Sequence, residues 1–311
     1  MSANIETMFY VRKAPWHGLG TKVNEAPTSK EALEVAGLDW SVNQSSIFTN
    51  DDILIPNYKA NIRDIDEQIL GVVTDRYKVV QNEEAFAFTD SLLGEGVTYE
   101  TAGSLQGGKK VWLLAKLPEK FKLLDDEVSP YLVFFNSHDG SGAIKVAMTP
   151  VRVVCQNTLN LALNTTKRIW TTNHTGNIEA KLLEANRTLS LANEYMSALG
   201  SEAFSLSKVK LDDKRVLEFI NDLLPITDKA TTTQITNIKT LRDDFKYRYF
   251  NAPDLTQMPK NAWRFINATS DFATHVTPLR KTKNYNSNLF LKATEGNPII
   301  DKAYNLIKAI A

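Results

Sequence analysis

Ile178, Leu182, Ala185, Leu189, Ala192, Met196 and Leu199 recur along the chain at intervals that alternate four and three. Only an α-helix returns side chains to one face at that spacing, so the stretch is committed to helix with a continuous apolar seam. Nothing similar occurs earlier. Before residue 170 the apolar residues come in short runs at strand spacing, separated by polar or glycine-rich turns. The change predicts an α+β part over 1–170, built of a hairpin-rich sheet with helices, and an all-helical part over 171–311. The stretch 201–212 is a candidate joint. Such a seam packs against neighbouring helices of its own chain or supports self-association, and both stay open at this point.

Local signals place the elements. Thr28-Ser-Lys-Glu31 has the capping-box pattern, so a short helix should run through Ala36 and stop at Gly37. Strands are expected over 41–49, 53–63 and 69–74, with the polar DIDEQ joining the last two as a hairpin. Asn82 stands where it can cap a helix over 83–93, with Glu83 and Glu84 set against the helix dipole. Two more hairpins are expected, 97–105 with 111–117 through QGGK and 131–136 with 143–148 through SHDGSG. Pro150 should then introduce TPVRVVCQNTLNLAL (149–163) as a helix, and further helices are expected over 214–224, 232–250, 260–275 and 297–310.

Several chemistries are disfavoured. Cys155 is the lone cysteine, which rules out an internal disulfide and a cysteine-rich zinc site and suits a reducing cytoplasm. No run approaches the roughly 20 apolar residues that cross a bilayer, and the N-terminal stretch lacks a signal-peptide core, so no membrane association is expected. Gly103–Lys109 fits G-x-x-x-x-G-K, but Lys110 replaces the Ser or Thr that holds magnesium and a strand-like VWLLAKL follows. It reads as a hairpin turn. His17, His138, His174 and His275 are scattered, without metal-site spacing. No cofactor and no catalytic motif are expected. If 149–163 is helical, Arg152, Gln156 and Asn160 fall at i, i+4 and i+8 and can line a stripe, a candidate pocket with His17 or His275. Cys155 reads as a packing thiol.

Lys+Arg and Asp+Glu both total 36, so no overall field draws the chain to a polyanion. Locally the balance differs. Residues 143–182 hold Lys145, Arg152, Lys167, Arg168 and Lys181 against Glu179, and 272–294 hold Arg280, Lys281, Lys283 and Lys292 with no acid, a net +4 in each. Trp170 and Tyr285 lie among these cations, and Tyr247 and Tyr249 flank Arg248. Cations that neutralise phosphates beside rings that stack on bases are the means of single-strand binding. The expected contacts are Lys145, Arg152, Lys167, Arg168, Arg280, Lys281 and Lys283 to phosphate, with Trp170 or Tyr285 stacking.

Four ordered motifs carry a resemblance: PWHGLGT (15–21), LGVVTDRYKVVQNEEAF (70–86), TPVRVVCQNTLNLAL (149–163) and NAWRFINATSDFATHV (261–276). Together they resemble the phage- and plasmid-associated "domain of unknown function 932" family across nearly the whole chain. His17, Asn82, Arg152, Cys155, Gln156, Asn157, Thr158 and His275 fall on motif positions. Where members often carry a doubled histidine, this chain has Thr274-His275-Val276. The resemblance implies a mobile-element setting among DNA-processing or anti-restriction functions and assigns no residue roles. The leading expectation is a non-enzymatic DNA-metabolism protein in the cytoplasm of a bacterial host. It would bind single-stranded DNA and promote strand annealing or recombination as a homo-oligomer. The alternative is a protein-binding inhibitor of a host defence or restriction factor, and a third reading is an enzyme using the Arg152 row.

Overall fold

The structure, a computed structural model, describes residues 5–11, 20–25, 27–93, 98–117, 121–124, 126–152, 169–189, 192–276 and 297–310. They form the expected α+β arrangement, with strands up to Thr172 and helices alone from Ile178 onward among the described residues. Two compact units divide the chain: Met1–Glu119 with Tyr131–Met148 and Arg168–Ala192, and Lys120–Pro130 with Thr149–Lys167 and Asn193–Ala311.

In chain order the strands are β1 (Ile5–Val11), β2 (Thr21–Val23), β3 (Val42–Phe48), β4 (Leu54–Arg63), β5 (Ile69–Thr74), β6 (Thr98–Leu105), β7 (Lys110–Lys116), β8 (Phe121–Leu123), β9 (Asp126–Ser137), β10 (Ile144–Arg152) and β11 (Ile169–Thr172). The larger sheet runs β11-β10-β9-β7-β6-β1-β2, with β8 paired to β9, and a second sheet runs β3-β4-β5. Three helices belong with these sheets: α1 (Ser29–Val35), α2 (Asn82–Leu93) and α3 (Ile178–Leu189). α1 packs on β1 and β6, α2 on β7, and α3 on β11. Beneath them lie Phe9, Leu38, Tyr99, Leu113, Leu132, Phe134, Ile144 and Trp170, the first unit's core.

The capping box at Thr28 is formed, with the Thr28 N–H donating to Glu31 Oε2 at 3.0 Å, and Gly37 ends the turn at φ 63°. In the β6–β7 connection Gln106, Gly107 and Gly108 all take positive φ, which explains the glycine pair without any phosphate. Gly103 is needed for a different reason: a Cβ there would lie 2.3 Å from the Thr7 carbonyl oxygen.

One element is corrected. β10 does not stop before Pro150 but runs through it to Arg152, so the helix expected after Pro150 does not begin there. The run Thr-Pro-Val-Arg-Val-Val is short, apolar and β-branched, and such a run fits a buried strand as well as a helix. The remainder of the stretch, 153–163, lies outside the described residues.

The second unit holds α4 (Ala192–Lys208), α5 (Asp213–Leu223), α6 (Thr232–Asn251), α7 (Pro253–Thr256), α8 (Ala262–His275) and α9 (Pro298–Lys308). α4 continues through Lys208, so the joint expected at 201–212 is largely helix. The apolar seam is shared between two cores. Ile178, Leu182 and Ala185 of α3 pack into the first unit, whereas Met196 and Leu199 of α4 are buried in the second.

α8 is the second unit's central helix, buried from Ala262 to Ser270. Phe265 packs on Phe219 and Phe245 (ring centroids 5.6 Å in both cases), and Phe245 stacks on Phe272 at 4.9 Å. Its one buried cation is fully engaged: Arg264 Nε donates to the Tyr249 carbonyl at 3.1 Å and Nη1 to that of Met258 at 3.0 Å. The guanidinium thereby closes the C-terminal turn of α6, where unpaired carbonyls carry the negative end of the dipole. The motif NAWRFINATSDFATHV is thus largely a packing device. Among the described residues no helix is long and apolar enough to cross a membrane.

Candidate docking face and its buried polar anchor

β4 alternates in the sense opposite to an ordinary half-buried strand. The register pairs Tyr58 with Thr74, Ala60 with Val72 and Ile62 with Ile69, and pairs Asn43 and Ser45 of β3 with Ile62 and Ala60. Residues directly opposite one another share a face, so these side chains form one surface. Tyr58 is 49% exposed, Ile69 61% and Val72 59%. The other face of β4 carries Lys59, Asn61 and Arg63, of which Asn61 is 0% exposed and Arg63 5%. Asn61 and Arg63 thus point inward and Tyr58 outward, while Ala60, on the face of Tyr58, is 9% exposed.

The inward set holds because Asn61 and Arg63 are matched. Asn61 Nδ2 donates to the His138 carbonyl at 2.7 Å, and Asn61 Oδ1 accepts from Gln44 Nε2 at 3.0 Å. Arg63 spreads its fork over three partners: Nε donates to Asp66 Oδ1 at 2.9 Å, Nη1 to Glu6 Oε2 at 2.9 Å and Nη2 to Gln68 Oε1 at 2.6 Å. Its guanidinium also lies 5.4 Å from the centre of the Trp40 ring. The Asp66 hydrogen bond, reinforced by Glu6, holds that guanidinium well above its usual pKa. Glu6 belongs to β1, so Arg63 ties the smaller sheet to the larger one.

Two histidines complete the anchor. His138 follows β9; its Nε2 lies 3.1 Å from Asn82 Oδ1, and Asn82 Nδ2 donates to the carbonyls of Leu38 and Trp40. Because the Asn82 nitrogen is occupied as a donor, its oxygen must accept, which places the proton of His138 on Nε2. His174 Nδ1 faces the Lys78 carbonyl at 2.9 Å and so carries its own proton there. Tyr77 stacks on the His174 ring at 4.5 Å and donates its hydroxyl to the Ser137 carbonyl. Burial drives the His138 pKa down to about 3, with His174 adding to the effect, and burial also lowers that of His174. Both rings are neutral at pH 7. Next to them, burial raises the Asp139 pKa, but bonds from the Ser137 hydroxyl and from Ser141 outweigh it and keep the carboxyl low. No group of three or more His, Cys, Asp or Glu among the described residues could hold a metal ion.

The outer face has a charged frame. Residues 41–75 carry Asp51, Asp52, Asp64, Asp66, Glu67 and Asp75 against Lys59 and Arg63, six acids to two bases and a net −4. All six acids are exposed. Asp51 and Asp52 sit in the β3–β4 turn, and Asp64, Asp66 and Glu67 in the β4–β5 turn at the opposite end of the strands. An apolar centre bounded by acids at both ends is suited to a protein surface and repels phosphate.

The profile described as "Domain of unknown function (DUF932)" matches residues 69–293. The chain belongs to this family. No curated protein and no solved structure matches it. Within the DUF932 span lie β5, Tyr77, Asn82, His138 and His174, whereas Glu6, Gln44, Asn61, Arg63, Asp66 and Gln68 of the polar anchor precede it.

The candidate residues of the DUF932 chain fall as follows. His17, Gln156, Asn160, Lys167, Arg168, Arg280, Lys281, Lys283 and Tyr285 lie outside the described residues, and Arg152 is described by its strand backbone alone. Lys145 lies in β10 opposite Thr171 of β11. Trp170, expected to stack on a base, is 7% exposed and belongs to the first unit's core. Its ring faces meet protein. Lys181 of the same basic stretch directs its ammonium to the carbonyls of Asn173 and Thr175. Arg248 is matched by Asp244 and by Asp271 at 2.8 and 2.9 Å. His275 ends α8 with its Nε2 3.9 Å from Asp271 Oδ1. Asn82 opens α2 without capping it: its side chain serves His138, and Glu84 Oε2 accepts from the Gln81 N–H at 2.7 Å instead. The alternation of Tyr58, Ala60 and Ile62 with Lys59, Asn61 and Arg63 is visible in the sequence itself and is the signal that marks this strand.

Proposed function

We propose that this DUF932 protein works as a partner-binding module and that the outer face of β3–β4–β5 is its docking surface. One observation carries the proposal: Tyr58, Ile69 and Val72 are each about half or more exposed on one continuous sheet face whose reverse side is locked in place by Asn61 and Arg63. A rigid apolar surface left in water costs free energy; fully burying a side chain of this size returns roughly 1.5–3 kcal/mol. The acidic frame specifies the occupant as a protein surface with an apolar centre and a Lys- or Arg-rich rim. A host defence or restriction factor, met in the cytoplasm of a bacterium carrying a phage or plasmid, is the partner class we infer.

The test is site-specific photo-crosslinking in cells, with the reactive residue at Tyr58 or Val72 and a control at exposed Ser201 of α4. Adducts at the face, absent at the control, resistant to nuclease and abolished by Ile69→Lys, support docking. Equal adducts at face and control, or adducts that nuclease removes, end it.

A second reading, single-strand binding with annealing by a homo-oligomer, is supported by the charge of 143–182 and 272–294 rather than by any described contact. A gel shift with oligonucleotides over a salt series tests it: phosphate contacts must weaken steeply with salt. No binding at low salt, or binding indifferent to salt, removes that reading.

A further inference from the structure

Among the described residues β3 is an edge strand of its sheet, and its edge is only half covered. The Asp64 N–H donates to the Ser41 carbonyl at 3.0 Å. In an antiparallel ladder the bonded pairs alternate, so Asn43 and Ser45 bond to β4 while Val42, Gln44 and Ser46 turn their N–H and C=O groups outward. Val42 is already covered. Its N–H donates to Gln81 Oε1 at 2.9 Å and its carbonyl accepts from Gln81 Nε2 at 3.0 Å, the two bonds a neighbouring strand would make. Gln44 and Ser46 have no such cover on their outward backbone groups among the described residues. The other edge is different: Gly140 stands against Val73 and the Val72 carbonyl of β5.

Edge strands are ordinarily protected by lysine, proline or a bulge that turns the edge away. β3 reads VNQSSIF, with neither lysine nor proline, and its irregularity falls only between Ser46 and Ile47. We propose that a Lys- or Arg-rich segment of the partner protein adds here as a fourth strand beside Gln44 and Ser46. The proposal rests on the docking-face reading, because it concerns the same sheet. Charge selects the occupant. An antiparallel second copy would bring its Asp51-Asp52 turn against the Asp64–Glu67 turn of the first, acid against acid, whereas a cationic strand meets attraction at both ends. Backbone pairing supplies affinity and the adjoining face supplies specificity, as in other cases of strand addition.

The experiment uses the full chain and a synthetic peptide of about eight alternating lysine and valine residues, long enough to span β3. A control peptide of the same sequence is N-methylated at alternate residues, which keeps its charge and removes its ability to pair. Calorimetry gives affinity, and hydrogen exchange follows the Gln44 and Ser46 amides. Strand addition predicts that the unmodified peptide binds at least about tenfold more tightly than the control and slows both amides. Ser46→Pro, which removes an outward N–H, should abolish the difference. Equal affinity for the two peptides, no binding of either, or no protection in β3 overturns the proposal. So does self-association in sedimentation equilibrium that Ser46→Pro abolishes, since the edge then belongs to a second copy. Val72→Lys separates the two readings: pairing that survives it sinks the face and keeps the edge, while binding that it abolishes but N-methylation does not sinks the edge and keeps the face. The peptide comparison stands even if Ser46→Pro does not fold.

Discussion

Asn61 of β4 reaches the carbonyl oxygen of His138, 77 residues further along the chain, with its side-chain amide at 2.7 Å. That bond fixes which way the smaller sheet faces. With Asn61 held inside, Tyr58 and Ile62 turn to the opposite face, where Tyr58 is exposed and Ala60 between them is nearly covered at 9%.

Asn61→Leu should therefore be costly although it places an apolar residue in a buried site. It orphans the His138 carbonyl, at a cost of about 1–3 kcal/mol for an unsatisfied buried group, and takes one of two acceptors from the Gln44 amide, which keeps the Tyr77 carbonyl at 3.3 Å. We expect a loss of roughly 2–4 kcal/mol, read as a shift of the urea midpoint without loss of helical signal at low denaturant. A midpoint within experimental error of wild type would show that the amide anchors nothing.

Arg63→Lys should behave almost as badly as Arg63→Ala. An ammonium cannot span Glu6, Asp66 and Gln68 at once, and with both carboxylates partly in water the loss should be about 1.5–3 kcal/mol, the range for hydrogen bonds to charged groups. The check is chemical denaturation of both variants. A lysine variant as stable as wild type contradicts the fork geometry.

Acid should weaken the first unit earlier than carboxylates alone would. His138 is held at about 3 in the fold against an ordinary 6.5, so between these values the unfolded chain binds the proton and the folded one does not. Stability from this group is complete above 6.5 and falls as the pH drops toward 3, by about 2 kcal/mol on reaching pH 5. The lowered His174 acts in the same direction. The low carboxyls Asp66 and Asp139 lose their contribution only below their ordinary 3.8. A urea midpoint followed from pH 7.5 to 5 should decline, and His138→Gln should flatten the curve.

Gly71→Ala tests a close approach. A Cβ at Gly71 would stand 2.6 Å from the Asp139 Cα, backbone against backbone, so the His138–Gly142 loop must move. Overpacking of this kind costs about 1–3 kcal/mol, and the amide signals of 138–142 should shift in a heteronuclear spectrum. An unshifted loop would mean that the two segments do not touch.

Val72→Lys and Ile69→Lys should change stability by less than about 0.5 kcal/mol, since both side chains already stand in water. The same variants should lose the crosslinked partner. Marked unfolding of either would show that the face is part of the core.

Much of the element map was legible because it depends on neighbours in the chain. Thr28 and Glu31 announce α1, the glycines of QGGK announce the β6–β7 turn, and α5, α6, α8 and α9 lie where helices are expected from the sequence. The failures share a cause. Pro150 looked like a helix start, but a partner strand and not local preference holds 149–152 extended. Asn82 looked like a cap, but its amide is better satisfied by Leu38, Trp40 and His138, which are remote in sequence. Trp170 looked available for stacking because it follows two cations, and burial is not written in adjacency.

For the candidate docking face the division is sharp. The period of two in Tyr58-Lys-Ala-Asn-Ile-Arg63 already determines that one side of β4 is apolar and the other polar, because successive side chains leave a strand in opposite directions. It says nothing about which side meets the core. Tertiary structure made that choice by supplying the His138 carbonyl, Gln44, Glu6 and Asp66 on the inside, so that hydrogen bonds offset the desolvation of Asn61 and Arg63 and the apolar side was left facing water.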